Sequence, residues 1–230
     1  DINMGCPVRK VIRRGAGSAL LKNPQSAKEI VAAAMEADMP VSVKIRSAFK
    51  SPREWESILK MLYEFESMGI SFVTIHPRSA ADMFGGKADW SLLSEAVAAL
   101  SIPVFGSGDI NTVDDIRRII DTTDVAGVML ARGAIANFQL FTRAKELVSG
   151  NGITNESFHA RVGTMLEFIA EEVKIRGEEH AIRWCRKFMA RLIRNFAGAR
   201  QMRQKIYGLT KLDEMNAFLS TIVDACKSFE

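Results

Sequence analysis

The sequence predicts a parallel β/α architecture followed by a helical domain. Three observations carry this. Short β-branched runs recur at about the interval of one strand–helix unit, roughly 30 residues. A capped, amphipathic helix pattern follows each of them, and beyond Gly150-Asn151-Gly152 no strand pattern remains. A doubly wound sheet and a TIM-type barrel both satisfy this reading.

Each element has its own signal. Asp1-Ile2-Asn3 reads as a strand end that enters a loop at Met4-Gly5-Cys6-Pro7. Asn23-Pro24 starts a helix through Ile30, Val31 and Ala34, with proline where an unpaired N–H would otherwise stand. Val41–Ile45 is the next strand. Ser51-Pro52-Arg53-Glu54 is a capping box, after which Trp55, Ile58, Leu59, Leu62 and Phe65 share one helical face until Gly69 ends it. Phe72–Ile75 is a strand, and Asp89 caps the helix carrying Leu92, Leu93, Ala96, Val97 and Leu100. Pro103–Phe105 precedes a helix opened by Thr112-Val113-Asp114-Asp115, with Ile116, Ile119 and Ile120 inward; Gly127–Leu130 is the last strand. Residues 155–230 read as long helices over Phe158–Arg176, Glu179–Phe196 and Leu212–Phe229, with a shorter one around Arg200–Tyr207. The domains are therefore drawn at residues 1–150 and 155–230.

Composition narrows the class without naming a function. The 230 residues are 47% hydrophobic and 25% charged, with a formal net charge of +4, which excludes a disordered or fibrous chain. No apolar run reaches the roughly 18 residues of a membrane span, and the first residues lack the basic and apolar regions of a signal peptide. Three cysteines, Cys6, Cys185 and Cys226, are too few and scattered for a disulfide framework, so a cytoplasmic protein is expected. No cysteine–histidine spacing suggests a metal site.

Polar residues at strand ends locate the chemistry, because β/α folds build their sites at the C-terminal edge of the sheet. The strands end in Lys44-Ile45-Arg46, His76-Pro77-Arg78, Gly106-Ser107-Gly108-Asp109 and Ala131-Arg132-Gly133. Alternation along a strand puts Lys44 and Arg46 opposite Val43 and Ile45, and Thr74 and His76 opposite Val73 and Ile75. With the apolar faces toward the helices, cations and a histidine converge on one volume. A lone core histidine and snorkelling lysines are the plain alternative; repetition on adjacent strands argues against it. The two glycine-containing loops suit close approach of a phosphate to backbone N–H groups. Cys6, between Gly5 and Pro7, is exposed, rigidly held and followed by Arg9, Lys10, Arg13 and Arg14, a setting for chemistry more than for packing.

These residues resemble a known family. Asp1-Ile2-Asn3-Met4-Gly5-Cys6-Pro7, followed by Val11 and by Gly15-Ala16-Gly17-Ser18-Ala19-Leu20-Leu21, is similar to the signature of the tRNA-dihydrouridine synthases. The Lys-x-Arg, His-x-Arg, Gly-Ser-Gly-Asp and Ala-Arg-Gly motifs follow in the family's order over the whole chain. Ser107 stands where asparagine is common, and Ala131 where glycine is common. The resemblance implies an FMN- and NADPH-dependent reduction of the uridine 5,6 double bond in tRNA. Cys6, on a mobile loop above the flavin, would protonate C5 as reduced flavin delivers hydride to C6. Asn3 would hold the uracil edge, Lys44 and His76 the flavin ring, and Arg46 and Arg78 would face the substrate. Ser107, Gly108 and Asp109 with Ala131 and Arg132 would cradle the FMN phosphate.

The helical region supports an RNA partner independently. Arg183, Arg186, Lys187, Arg191, Arg194, Arg200, Arg203 and Lys205 lie in a stretch with no acidic residue. Arg183, Lys187, Arg191 and Arg194 recur at helical spacing as a stripe, beside Trp184, Phe188 and Leu192. A base that must leave its stack to react needs such a grip on the backbone. No membrane or DNA partner is expected, and the full-length protein is expected to be monomeric. Two other readings stay open: an FMN barrel acting on a free pyrimidine, and a non-catalytic RNA-binding fragment.

Length sharpens the fold. A complete (β/α)8 barrel takes about 250 residues. If the phosphate loops follow strands 7 and 8, this chain carries strands 4–8 of a TIM-type barrel and then an all-α domain. The expectation is that it lacks barrel strands 1–3, binds FMN poorly and exposes a sheet edge.

Overall fold

A computed structural model describes residues 1–193 and 198–227. The chain forms two compact units, Asp1–Ala131 and Arg132–Glu230. The division falls ahead of the glycine-rich stretch at 150–152 that the composition pointed to.

The first unit is built on five parallel strands in sequential order. They are β1 (Ile2–Met4), β2 (Ser42–Ala48), β3 (Phe72–Ser79), β4 (Val104–Ser107) and β5 (Gly127–Met129). Between them run α1 (Arg9–Ile12), a 3-10 turn over Gly17–Lys22, α2 (Pro24–Met35), α3 (Trp55–Ser67), α4 (Ser91–Ala99) and α5 (Val113–Thr123). The expected start signals act as read. Asn23 accepts from the Ser26 N–H, and both capping boxes, Ser51/Glu54 and Thr112/Asp115, are complete. Glu54 also accepts from the N–H groups of Phe49 and Lys50, which closes the loop leaving β2. Asp89 accepts from both the N–H and the hydroxyl of Ser91. Gly69, at φ +92°, ends α3.

Register fixes which residues share a face. Asn3, Lys44, Thr74 and Phe105 stand in one row, and Arg46 pairs with His76. A Cβ on Gly106 would lie 2.8 Å from Ile119 and 3.0 Å from Leu93, so Gly106 and its register partner Ile75 face the helices. That face packs against Val31, Ile58, Leu62, Phe65, Leu93, Ile116 and Ile119, all buried. The opposite face holds Lys44, Thr74 and Phe105. It is buried too, and polar: Ser42, Arg46, Thr74, His76, Arg78 and Ser107 all lie in the interior. Burial on both faces is the habit of parallel sheets, but a polar second face needs partners inside the protein or in a ligand.

The strands β2 and β3 run several residues past the expected ends at Ile45 and Ile75, despite Pro77. Pairing of β3 with β4 finishes at Ile75–Gly106, so no ladder bond to β4 is asked of the proline. The register between β2 and β3 also shifts after Arg46, which lets the last residues of both strands diverge from the regular ladder.

From Arg132 on, the elements of the described residues are helices: α6 (Arg132–Ala136), α7 (Leu140–Val148), α8 (Phe158–Arg176), α9 (Glu178–Leu192), α10 (Ala199–Gly208) and α11 (Leu212–Lys227). Sequence patterning misses α6 and α7, which are short and carry exposed Phe141 and Val148. The second long helix, expected over Glu179–Phe196, is α9 with Ile193 at its C-cap, and residues 194–196 of the expected span lie outside the described residues. The shared core of these helices joins Phe158, Val162, Met165 and Ile169 to Ile182, Cys185, Met189, Ile206, Met215, Leu219 and Ile222.

Candidate active site

The cysteine loop is pinned by four residues. Asn3, at the end of β1, accepts through Oδ1 from the N–H groups of Gly5 (3.1 Å) and Cys6 (3.0 Å). The Cys6 carbonyl accepts from the Ser18 N–H at 3.0 Å. Gly17, at φ +61°, presses so close that a Cβ there would sit 2.8 Å from the Cys6 oxygen. The fourth tie comes from Arg46, whose Nε donates to the Gly5 carbonyl at 3.1 Å. The mobile loop expected around Cys6 is therefore a tied one. The thiol itself is half-buried and free. Cys185, by contrast, is fully buried in the helical core, where burial and Glu172 push its thiol up to about 11. Cys226 lies at a position whose side chain is outside the description. Asn3 holds the loop with its amide oxygen, a role sequence reasoning assigned only to the substrate.

Four basic side chains gather at the ends of β2 and β3. Arg46 is 2% exposed and donates to the Ser79 carbonyl at 2.7 Å as well as to Gly5, and its guanidinium lies 5.8 Å from the Phe84 ring centre. Arg78 is equally enclosed. Its Nη2 meets the Asp109 carboxylate at 2.6 Å and the Gly86 carbonyl at 2.9 Å, and its Nη1 lies 3.2 Å from His76 Nε2. Both arginines were expected to face substrate; both make hydrogen bonds to the protein, and the buried Arg78 Nε–H has no partner among the described residues. Burial, with Arg46 beside it, lowers the Lys44 ammonium from its ordinary range. Burial, Arg46, Lys44 and Arg78 together hold His76 down to about 3, so its ring is neutral. Asp109 experiences burial that would raise its pKa, but the Arg78 bond and the Ala88 N–H outweigh it, and the carboxyl stays below its usual range.

The loop after β4 is shaped around the histidine. Gly108 has φ +99°, and a Cβ there would stand 2.5 Å from His76 Cδ2, so no side chain fits. Asp109 follows in a left-handed conformation at φ 56°. Ser107 is buried, with its hydroxyl donating to the Met129 carbonyl of β5. Ala131 is exposed at the end of the first unit, and Arg132 opens α6 in the second. Thr74 was not singled out in sequence. Its hydroxyl is completely buried in the Lys44 row and has no hydrogen-bond partner among the described residues. An orphan hydroxyl beside a surplus of cations fits an anionic ligand that brings a hydrogen-bond partner. Among the described residues no group of three or more His, Cys, Asp or Glu could hold a metal ion.

The basic stripe on α9 is more heterogeneous than its sequence. Arg183 is exposed but paired with Glu179 at 2.8 Å, one turn back. Arg186 donates to the Leu209 carbonyl and so braces the chain between α10 and α11. Lys187 lies 4.3 Å from the Trp184 ring centre and 5.0 Å from that of Phe188. Arg191 is half-buried, and Arg194 lies outside the described residues. Trp184 carries a second cation, Arg176, at 4.7 Å, and belongs to an aromatic cluster with Phe168 and Phe188. A cleft of about 710 Å³ opens beside it, lined by Arg176, His180, Arg183 and Trp184. No described helix is long and apolar enough to cross a membrane.

Comparison with known proteins agrees with this geometry. Residues 1–228 match the family described as dihydrouridine synthase (Dus). A probable tRNA-dihydrouridine synthase of Treponema pallidum is 30% identical over 98% of this chain and 68% of its own length. The tRNA-dihydrouridine synthase B of Pseudomonas aeruginosa is 32% identical over 93% of this chain and 64% of its own. That of Pasteurella multocida is 35% identical over 83% and 57%. The chain thus spans about three fifths of the length of these relatives. With its cysteine loop, its cationic strand ends and its parallel sheet all within one continuous match, the chain belongs to the dihydrouridine synthase family.

Proposed function

We propose that this chain belongs to an enzyme that reduces the 5,6 double bond of a uridine in tRNA, with FMN and NADPH as cofactors, in the cytoplasm. One observation carries the reading: neighbouring parallel strands bring a tied but accessible cysteine and a neutral histidine beside a lysine to the same edge of one sheet. The names of its relatives support tRNA as the substrate. On this reading the five strands are the last five of an eight-stranded TIM-type barrel, and the helices from α8 on are the RNA-binding domain.

The chemistry that FMN, reduced by NADPH, would supply here is a hydride for C6. The chain's own residues do the rest. Cys6 gives the thiol proton to C5 and regains one from water, so the uracil gains two hydrogens in all. Asn3, Arg46 and Gly17 hold the thiol's backbone where the base must arrive. Lys44 and His76 would offer donors to the isoalloxazine, and Lys44 would oppose negative charge there. Ser107, Gly108 and Asp109, with Ala131 and Arg132 after β5, would hold the phosphate end. Arg183, Lys187, Arg191 and Arg194 contribute positive charge for the tRNA backbone, and Trp184 and Phe188 add aromatic surface beside Lys187.

The test is to incubate the chain with FMN, NADPH and an unmodified tRNA transcript and to measure dihydrouridine by mass spectrometry. Cys6→Ala is expected to abolish product while tRNA binding stays within about twofold, because the side chain makes none of the bonds that hold the loop. Product from Cys6→Ala would remove the thiol from the mechanism, and reduction of free uracil alone would replace tRNA by a small pyrimidine as substrate.

A further inference from the structure

Asp109, Arg78 and His76 form a chain of side chains ending on an imidazole nitrogen, and we propose that Asp109 and Arg78 are positioning residues that hold His76 as its Nδ1–H tautomer. The argument starts from donor chemistry. A guanidinium only donates hydrogen bonds, so the nitrogen 3.2 Å from Arg78 Nη1, His76 Nε2, must present its lone pair. The neutral ring then carries its one proton on Nδ1. Arg78 cannot easily leave this position. Its side chain is 2% exposed and its Nη2 is held by both carboxylate oxygens of Asp109, at 2.7 and 2.6 Å, and by the Gly86 carbonyl. Asp109 is fixed in turn by the Ala88 N–H at 2.8 Å. Gly108 closes the ring in from the Cδ2–Nε2 edge. The cations around the ring, Lys44, Arg46 and Arg78, oppose a second proton.

The consequence is a rule for the ligand. His76 offers its ligand a donor, as the Lys44 ammonium does when protonated. The atoms that meet them must be acceptors: carbonyl oxygens or pyridine-type ring nitrogens of a heteroaromatic compound. A ligand presenting an N–H at that place would meet another N–H. Arg78 and Asp109 thereby set specificity without touching the ligand. Only the identity of the ligand rests on the flavin reading; the tautomer is a property of this chain alone.

The experiment is a two-bond proton–nitrogen correlation spectrum of the full chain carrying ¹⁵N-histidine, at pH 7. The sequence has three histidines, and His76→Gln identifies the signal. The wild type is expected to show an unprotonated Nε2 and a protonated Nδ1 for His76. Arg78→Met removes the donor, and the Nε2 signal should move toward the average of the two tautomers. Asp109→Asn, which keeps the shape but not the charge of the anchor, should move it part of the way. If Arg78→Met does not fold, the wild-type spectrum and Asp109→Asn decide the matter. A protonated Nε2 in the wild type overturns the proposal, as does a wild-type pattern kept in every folded variant. An FMN titration separates the two readings. The expected tautomer in a chain that binds no FMN upholds this inference, whereas FMN bound beside a protonated Nε2 overturns this inference alone.

Discussion

Arginine does opposite work in the two units of this chain. In the β/α unit, Arg46 and Arg78 are almost wholly enclosed, and they donate to backbone carbonyls, a histidine and one carboxylate, with the Arg78 Nε–H left without a partner among the described residues. In the helical unit, the side chain of Arg183 is 65% exposed and leans on Glu179, while Lys187 rests on aromatic rings. The first pair builds the shape of a site; the second group offers charge to whatever arrives. A cluster of like charges can be enclosed only where backbone carbonyls and an acid such as Asp109 compensate it, and that requirement converts a would-be ligand into a strut.

The contrast can be broken at graded strength. Arg46→Met should cost most, about 3 to 4 kcal/mol, since two buried carbonyls lose a charged donor; urea unfolding measures it, and a loss below about 1 kcal/mol would mean that Arg46 is not a strut. Gly108→Ala should cost about 2 to 3 kcal/mol and displace His76, because it combines a left-handed backbone with a Cβ at 2.5 Å from the ring. Gly150→Ala isolates the backbone share. Its φ is +70° with nothing within 4 Å of the new atom, so thermal unfolding should show a cost of only about 1 kcal/mol. For His76 the folded pKa lies below the unfolded one, so the unfolded chain binds the extra proton first. Stability is therefore full above about 6.5 and lost as pH falls from there toward about 3, at up to about 1.4 kcal/mol per pH unit. His76→Gln should flatten unfolding free energy over that window, and an unchanged slope would assign it to other groups. The smallest effect belongs to Lys187→Ala, less than about 1 kcal/mol in stability, with a salt dependence of tRNA binding reduced by about one phosphate contact.

Much of the fold was legible because its signals are local. Capping boxes at Ser51 and Thr112, the proline after Asn23 and the apolar stripe from Trp55 to Phe65 each lie within a few turns of chain. That Lys44 and Arg46, and Thr74 and His76, share a face was readable for the same reason, since alternation along a strand is a nearest-neighbour property. What escaped depends on pairs far apart in sequence. Nothing near Arg78 announces Asp109, and nothing near Arg46 announces the Gly5 carbonyl, because register between strands brings them together. Glu179 was overlooked as a partner of Arg183 because it falls just ahead of the basic stretch. Thr74 looked like an ordinary strand residue. Only its burial without a partner marks it.

The sequential order of the sheet has a kinetic meaning. Each strand pairs with the next strand along the chain, so Ile2 meets Val43, Val43 meets Val73, Val73 meets Val104, and Phe105 meets Gly127. The loops closed by these pairings differ in length by less than about twofold, which alters closure entropy by only about 0.6 kcal/mol. Chain entropy therefore favours no pair as the folding nucleus, and side-chain burial chooses it. The choice falls on β2 and β3, which have the longest ladder and whose Val43, Ile45, Val73 and Ile75 are completely buried. The same pair carries Lys44, Arg46, His76 and Arg78. The polar side chains of the site are thus gathered on the strands that assemble first, and substitutions among them should slow refolding more than they speed unfolding.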